Sequence, residues 1–259
     1  MRAHAWSKGC LQGQVAVVTG AAQGIGRTIS EQLAYTGVNL MLADLSEEKL
    51  DKLRGELTSE YGIDCAHFVG DLSNESTVKE LGHRARAELG PVDILVNCAG
   101  GGVILPFLEH TAETLKQTVD RNLWTVIWCT REFIPDMRDR KYGRVINLGA
   151  DSVRNGLPDH AGYNAAKGGV HGLTTGLARE FARYGVTVNT VAPCAVATPQ
   201  LAHFLESQPE LAQKFIDVIP LGRAGELDEI ASAVIYLALP EASFITGQVL
   251  SVNGGSTML

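Results

Sequence analysis

Tyr163 and Lys167 stand four residues apart at the head of a stretch whose apolar positions continue through Val170, Leu173, Leu177 and Phe181. Helical spacing of this kind puts a phenol and an ammonium on one face. A free tyrosine, with a pKa near ~10, is a poor base, but a neighbouring cation favours its phenolate and brings it toward working pH. The pair could then relay a proton. On most helices the same two residues form a solvated surface pair, so the reading depends on what else the chain carries.

The second feature is the run Val15-Ala-Val-Val-Thr-Gly-Ala-Ala-Gln-Gly-Ile-Gly26, in which Gly20, Gly24 and Gly26 separate a short apolar run from a helical pattern. A backbone without Cβ atoms turns tightly there and approaches a pyrophosphate, which the amides of a helix N-terminus hold. Asp44 closes the next apolar run, at the distance where a carboxylate accepts from both hydroxyls of an adenosine ribose. A 2′-phosphate would meet like charge, so the cofactor expected is NAD. Asp71, in Gly70-Asp-Leu72, is placed for the adenine edge. Either aspartate could instead cap a helix or loop.

These residues need a frame. Short apolar runs at Val15–Thr19, Val38–Ala43, Cys65–Val69, Val92–Asn97, Arg144–Leu148, Thr187–Val191 and Gln248–Val252 predict seven buried strands. Between them, helical periodicity covers Ile25–Tyr35, Glu47–Thr58, Glu75–Leu89, Ala112–Met137, Tyr163–Tyr184 and Leu227–Leu239. The alternation predicts an α/β fold, a doubly wound parallel sheet with helices on both faces. No linker or repeat divides the 259 residues, so one domain is expected. The segment 198–223 breaks the strand–helix rhythm with an amphipathic stretch through Leu201, Leu205 and Phe215, and reads as a substrate lid or a pair of surface helices.

Composition excludes other classes. The formal net charge is −7, with no dense lysine–arginine run, against nucleic acid or anionic membrane as partners. Cys10, Cys65, Cys98, Cys129 and Cys194 are odd in number, scattered and without a C-x-x-C pair, which indicates a reducing, cytoplasmic setting. No apolar stretch is long enough to span a membrane. His4, His67, His83, His110, His160, His171 and His203 form no metal-ligand pattern, so no metal is expected.

Taken together, Thr19-Gly-Ala-Ala-Gln-Gly-Ile-Gly26, Asp71, Asn97-Cys-Ala-Gly100, Asn122, Tyr163-x-x-x-Lys167, Asn189 with Pro193 and Thr198, and Ile245-Thr-Gly-Gln-Val-Leu-Ser-Val-Asn-Gly-Gly255 resemble the short-chain dehydrogenase/reductase family over essentially the whole chain. The resemblance implies a Rossmann-type sheet and interconversion of a secondary alcohol and a ketone by a nicotinamide cofactor. Tyr163 would be the acid/base, and Lys167 would lower its pKa and hold the nicotinamide ribose. Asn122 would keep a water in a proton wire. Thr198 and the Val196 backbone would meet the carboxamide, with Pro193 beside them, and Asn97 would brace the strand end. Gln23, Ile25, Leu72, Ala99 and Gly100 would complete the cofactor surface. A homodimer or homotetramer packed through the helices of Asn122 and Tyr163 is implied.

One departure matters. The family's serine, thirteen residues before the tyrosine, hydrogen-bonds the substrate oxygen, and that position here is Ala150. A methyl cannot donate, and loss of one such donor costs on the order of 10²–10³ in rate. Ser152, two residues along, is the nearest substitute. The chain is then an active dehydrogenase with weakened or relocated donation, a disabled form, or a non-catalytic subunit that partners an active homologue in a hetero-oligomer. Cys194 replaces the glycine usual after Pro193, and Cys98 the second asparagine of Asn-Asn-Ala-Gly; both read as packing residues.

The substrate should meet Gly100–Leu105, Asp151–His160 and the segment 198–223. Arg154 or His160 could meet an acidic group there, or be solvated loop residues. The tail and the surroundings of Tyr163 are similar to oxoacyl-thioester reductases and hydroxyacyl-CoA dehydrogenases. A small-molecule substrate is expected, with a hydroxyacyl-CoA first and a dihydrodiol or other secondary alcohol next.

Overall fold

The structure, a computed structural model, describes residues 6–207 and 209–258, so His4 lies outside the described residues. Strands β1 (Val15–Thr19), β2 (Asn39–Asp44), β3 (Cys65–Val69), β4 (Ile94–Asn97), β5 (Gly143–Leu148), β6 (Val186–Pro193) and β7 (Val249–Val252) make one sheet in the order β3-β2-β1-β4-β5-β6-β7. Every pairing is parallel. The helices are α1 (Gly24–Tyr35), α2 (Glu47–Tyr61), α3 (Glu75–Leu89), α4 (Ala112–Val119), α5 (Thr125–Arg140), α6 (Ser152–Asn155), α7 (Ala161–Phe181), α8 (Pro199–Ser207), α9 (Pro209–Asp217) and α10 (Leu227–Ala238).

Both faces of the sheet are covered, which is why its strands read as unbroken apolar runs. Side chains alternate across the pleat: Ala16 and Val18 of β1 join one core with Ile29, Leu33, Leu53 and Val234, from α1, α2 and α10. Val15 and Val17 join the other with Val78, Leu81, Phe133 and Met137, from α3 and α5. The seven-stranded Rossmann-type α/β fold is as expected from the sequence.

Several boundaries differ. β2 begins one residue late because the Val38 amide is taken by the Leu33 carbonyl at the end of α1. The segment Ala112–Met137 is not one helix: a π turn at Asp120–Trp124 separates α4 from α5. The segment 198–223 contains α8 and α9.

Candidate active site

Strand order reverses between β1 and β4, whose outgoing connections lead to opposite faces and leave a crevice at their carboxyl ends. There a cleft of about 1100 Å³ opens over Gly20, Asp44, Cys98, Leu148 and Pro193, at or just past the ends of β1, β2, β4, β5 and β6. It exceeds the ~300–1,000 Å³ of ordinary ligand pockets and has room for a dinucleotide beside a second molecule.

The glycines of the first turn are there for want of space. A Cβ on Gly26 would lie 2.1 Å from the Gly20 carbonyl oxygen, and one on Gly20, at φ +67°, would lie 2.9 Å from the Ala99 backbone. Thr19 ties the same corner together, its Oγ1 accepting from the amides of Cys98 (3.0 Å) and Ala99 (2.9 Å). Asp44 has a structural share as well: its carboxylate accepts from the amides of Ala22 (3.0 Å) and Leu45 (2.7 Å), joining the end of β2 to the turn.

The sequence-derived cofactor residues line this one cleft with a single exception. Asn97 does not; it is buried, and its Nδ2 donates to Asn147 Oδ1 (2.8 Å) and Thr130 Oγ1 (3.1 Å), bracing β4 against β5 from within. The cleft walls fit a dinucleotide on the structure's own terms. They combine a turn too tight for side chains, the start of α1, a carboxylate at the end of β2 and a deep wall carrying Tyr163 and Lys167.

At the deep end, Lys167 is buried, its Nζ donating to the Leu148 carbonyl at 2.8 Å and lying 5.9 Å from the Tyr163 ring centroid. Burial brings its pKa down to about 8. Tyr163 does not show the depression expected from its cation. Burial, with a smaller contribution from the Cys98 thiol, pushes the phenol up to about 12. Desolvation penalises both charged forms here and outweighs their mutual attraction. A Cβ on Gly100 would lie 2.8 Å from Asn122 Oδ1 and 3.4 Å from Lys167 Nζ, so only glycine clears this pair.

Asn122 sits inside the π turn, fully buried. Its Nδ2 donates to the carbonyls of Gly101 (2.9 Å) and Thr118 (2.8 Å), and its Oδ1 accepts from the Gly101 amide (3.1 Å). The side chain thus pins the 100–102 loop with both of its amide protons, and its Oδ1 keeps one lone pair. A π turn takes a backbone carbonyl out of the i−4 ladder, and such turns are frequent at functional sites. Helical periodicity carries no signal for it.

Ala150 is buried on the cleft wall with no hydroxyl to offer. Ser152 reaches the same wall, but its Oγ donates to Asn164 Oδ1 at 2.6 Å, so its one proton is already committed. Arg154 is absent from the lining: Nη1 donates to Ser251 Oγ (2.8 Å) and Nη2 to the Val249 carbonyl (3.2 Å). His160 does line the cleft, edge-on to Tyr163 at 6.0 Å and to Phe215 at 5.2 Å. Phe215 in turn stacks on Phe204 at 5.6 Å, an aromatic wall that the sequence did not reveal because α8, α9 and the loop before α7 meet only in the fold.

The cysteines behave as packing residues. Burial pushes Cys98 up to about 12 and Cys194 up to about 11, far from a reactive thiolate. Among the described residues no cluster of histidine, cysteine or acidic side chains could hold a metal, and no helix is long and apolar enough to cross a membrane.

The family model described as enoyl-(acyl carrier protein) reductase matches residues 20–257. The chain belongs to the short-chain dehydrogenase/reductase family. It is 64% identical to 2,3-dihydroxy-2,3-dihydro-p-cumate dehydrogenase of Pseudomonas putida, over 96% of each chain. It is 38% identical to the L-tagatose-forming galactitol 2-dehydrogenase of Cereibacter sphaeroides, again over 96% of each. Among solved structures, levodione reductase superimposes with a TM-score of 0.89 at 31% identity, covering 94% of this chain and 97% of that one. Membership makes the chain an oxidoreductase of the secondary-alcohol type with a nicotinamide cofactor.

Proposed function

We propose that this chain oxidises the cis-diol of a dearomatised ring, of the dihydroxy-dihydro-p-cumate kind, to the corresponding catechol with NAD. The observation that carries the reading is the aromatic wall of His160, Phe215 and Phe204 beside Tyr163. Flat rings pack on such a wall, with Leu157, Leu201 and Val218 for an alkyl substituent. The hydroxyacyl-CoA put first from sequence is less well served. Its phosphates call for cations, and only Arg121 and Lys167 supply lysine or arginine to the cleft lining. The 64% identity to a dihydrodiol dehydrogenase supports the same choice.

For the cofactor, Asp44 and Asp71 line the cleft together with Ala43, Leu45 and Gly70, and a 2′-phosphate there would meet like charge, which supports NAD over its 2′-phosphorylated form. When bound along this cleft, NAD would supply the hydride acceptor for the carbinol carbon. Tyr163 takes the hydroxyl proton, and Lys167, fixed on the Leu148 carbonyl, supplies the charge that draws the phenolate out. The ketone so formed tautomerises, the proton on the neighbouring hydroxyl-bearing carbon leaving and one being gained by the carbonyl oxygen to give the catechol, so aromatisation drives the reaction forward. Helices α8 and α9 bring Leu201, Phe204 and Phe215 to the outer wall and act as the lid. The exposed Trp124, stacked on Trp128 at 5.1 Å, belongs to a homodimer or homotetramer contact. Its scattered free cysteines suit a cytoplasmic enzyme.

Ala150 favours a second reading, a non-catalytic subunit of a hetero-oligomer, against which the intact Tyr163–Lys167 pair stands. The test is a set of initial rates on the purified chain with NAD and with NADP, offering the p-cumate dihydrodiol or a hydroxyacyl-CoA. The dihydrodiol with NAD is expected to win on both counts. Preference for the thioester would overturn the substrate, and faster reaction with NADP the cofactor.

A further inference from the structure

The polar groups around Tyr163 are unusual in sign. Ala150 contributes a methyl, and Ser152 has given its proton to Asn164 Oδ1 at 2.6 Å. His160 Nδ1 lies 2.7 Å from the Pro158 carbonyl. A carbonyl only accepts, so Nδ1 carries a proton, and the tautomer this bond selects has its lone pair on Nε2. The ring is only 9% exposed, lines the cleft, and among the described residues Nε2 has no protein partner. It is aimed by backbone as well as by packing: Asp159 is held at φ +63° just before it, and Tyr163 and Phe215 meet its ring at 80° and 82°.

Of these neighbours, Ala150 has no donor, Ser152 has used its proton, and His160 offers an acceptor. A substrate with one hydroxyl yields that proton to Tyr163 and has no second donor to offer Nε2. A substrate with two neighbouring hydroxyls satisfies both. We propose that His160 is a specificity-determining residue whose Nε2 accepts a hydrogen bond from the second, non-reacting hydroxyl of a vicinal diol. Resting on the function proposed above, this explains what the chain reads in place of the absent serine: the diol presents a donor to the protein.

The experiment uses the full chain with saturating NAD and two matched alcohols, the cis-dihydrodiol of benzene and cyclohexenol. His160→Phe keeps an aromatic edge against Tyr163 and Phe215 and removes the acceptor; His160→Gln restores an acceptor oxygen. His160→Phe should lower the diol-to-monool ratio of kcat/KM by about tenfold or more, mainly through the KM for the diol, and His160→Gln should recover part of it. Calorimetric titration of the diol into protein saturated with reduced cofactor should show the same loss of affinity. An unchanged ratio and unchanged diol affinity in a folded His160→Phe protein would overturn the assignment. If the wild type oxidises neither alcohol nor the p-cumate dihydrodiol, the function proposed above fails by itself. The titration still decides His160, equal diol affinity in wild type and variant overturning it and weaker affinity in the variant supporting it.

Discussion

At Tyr163 the chemistry is set by a contest between burial and charge. Burial holds the phenol at about 12 and Lys167 at about 8, so both resting groups are less ionised than their types suggest. Alcohol oxidation needs the phenolate, whose population grows as pH rises. The rate of oxidation should climb steadily from roughly pH 6 to pH 8 and flatten above it, as Lys167 loses the proton whose charge favours the phenolate. A profile of kcat/KM against pH checks this, and a flat limb below pH 8 would contradict it. The identities of Tyr163 and Lys167 were legible from their spacing. The sign of their electrostatics was not, because burial depends on the whole fold and the pair's neighbours come from other elements: Leu148 accepts from Lys167, the Cys98 thiol raises the phenol, and Gly100 lies against Lys167. Nor could sequence show His160 fixed on the Pro158 carbonyl, since that bond depends on the turn through Asp159.

Elements place these residues, and the turn from β1 to α1 has the least latitude. Gly26→Ala would drive a methyl to 2.1 Å from the Gly20 carbonyl oxygen, so the turn must open. Crowding of this kind costs about 1–3 kcal/mol. The variant should show a lower Tm and no measurable NAD binding by calorimetry; wild-type affinity would mean that the turn does not cradle the dinucleotide. This turn was readable because glycine is the one residue type whose absence of a side chain marks a position. The π turn around Asn122 was not, since it inserts a residue without proline or glycine and leaves the surrounding helical pattern intact. The helix pair α8 and α9 was visible only as a break in rhythm, its aromatic contribution to the cleft depending on how it folds back over the loop before α7.

For the whole molecule, strand–helix alternation was enough to predict one parallel sheet, because burial on both faces forces unbroken apolar strands. Substrate choice lay beyond it. The cleft wall is assembled from residues between Gly20 and Val218, and among the described residues the tail motif that suggested acyl thioesters forms β7 and lines none of it. The central claim is that this assembly, despite Ala150, still transfers a proton through Tyr163 while a ring diol is oxidised. The most direct test mixes the purified chain, NAD and the p-cumate dihydrodiol, and follows reduced nicotinamide and catechol together. The two should appear in equal amounts with the wild type, and Tyr163→Phe should be slower by about 10²–10⁴-fold with NAD still bound. Bound NAD with no turnover by the wild type, or equal rates for the two proteins, would contradict the account.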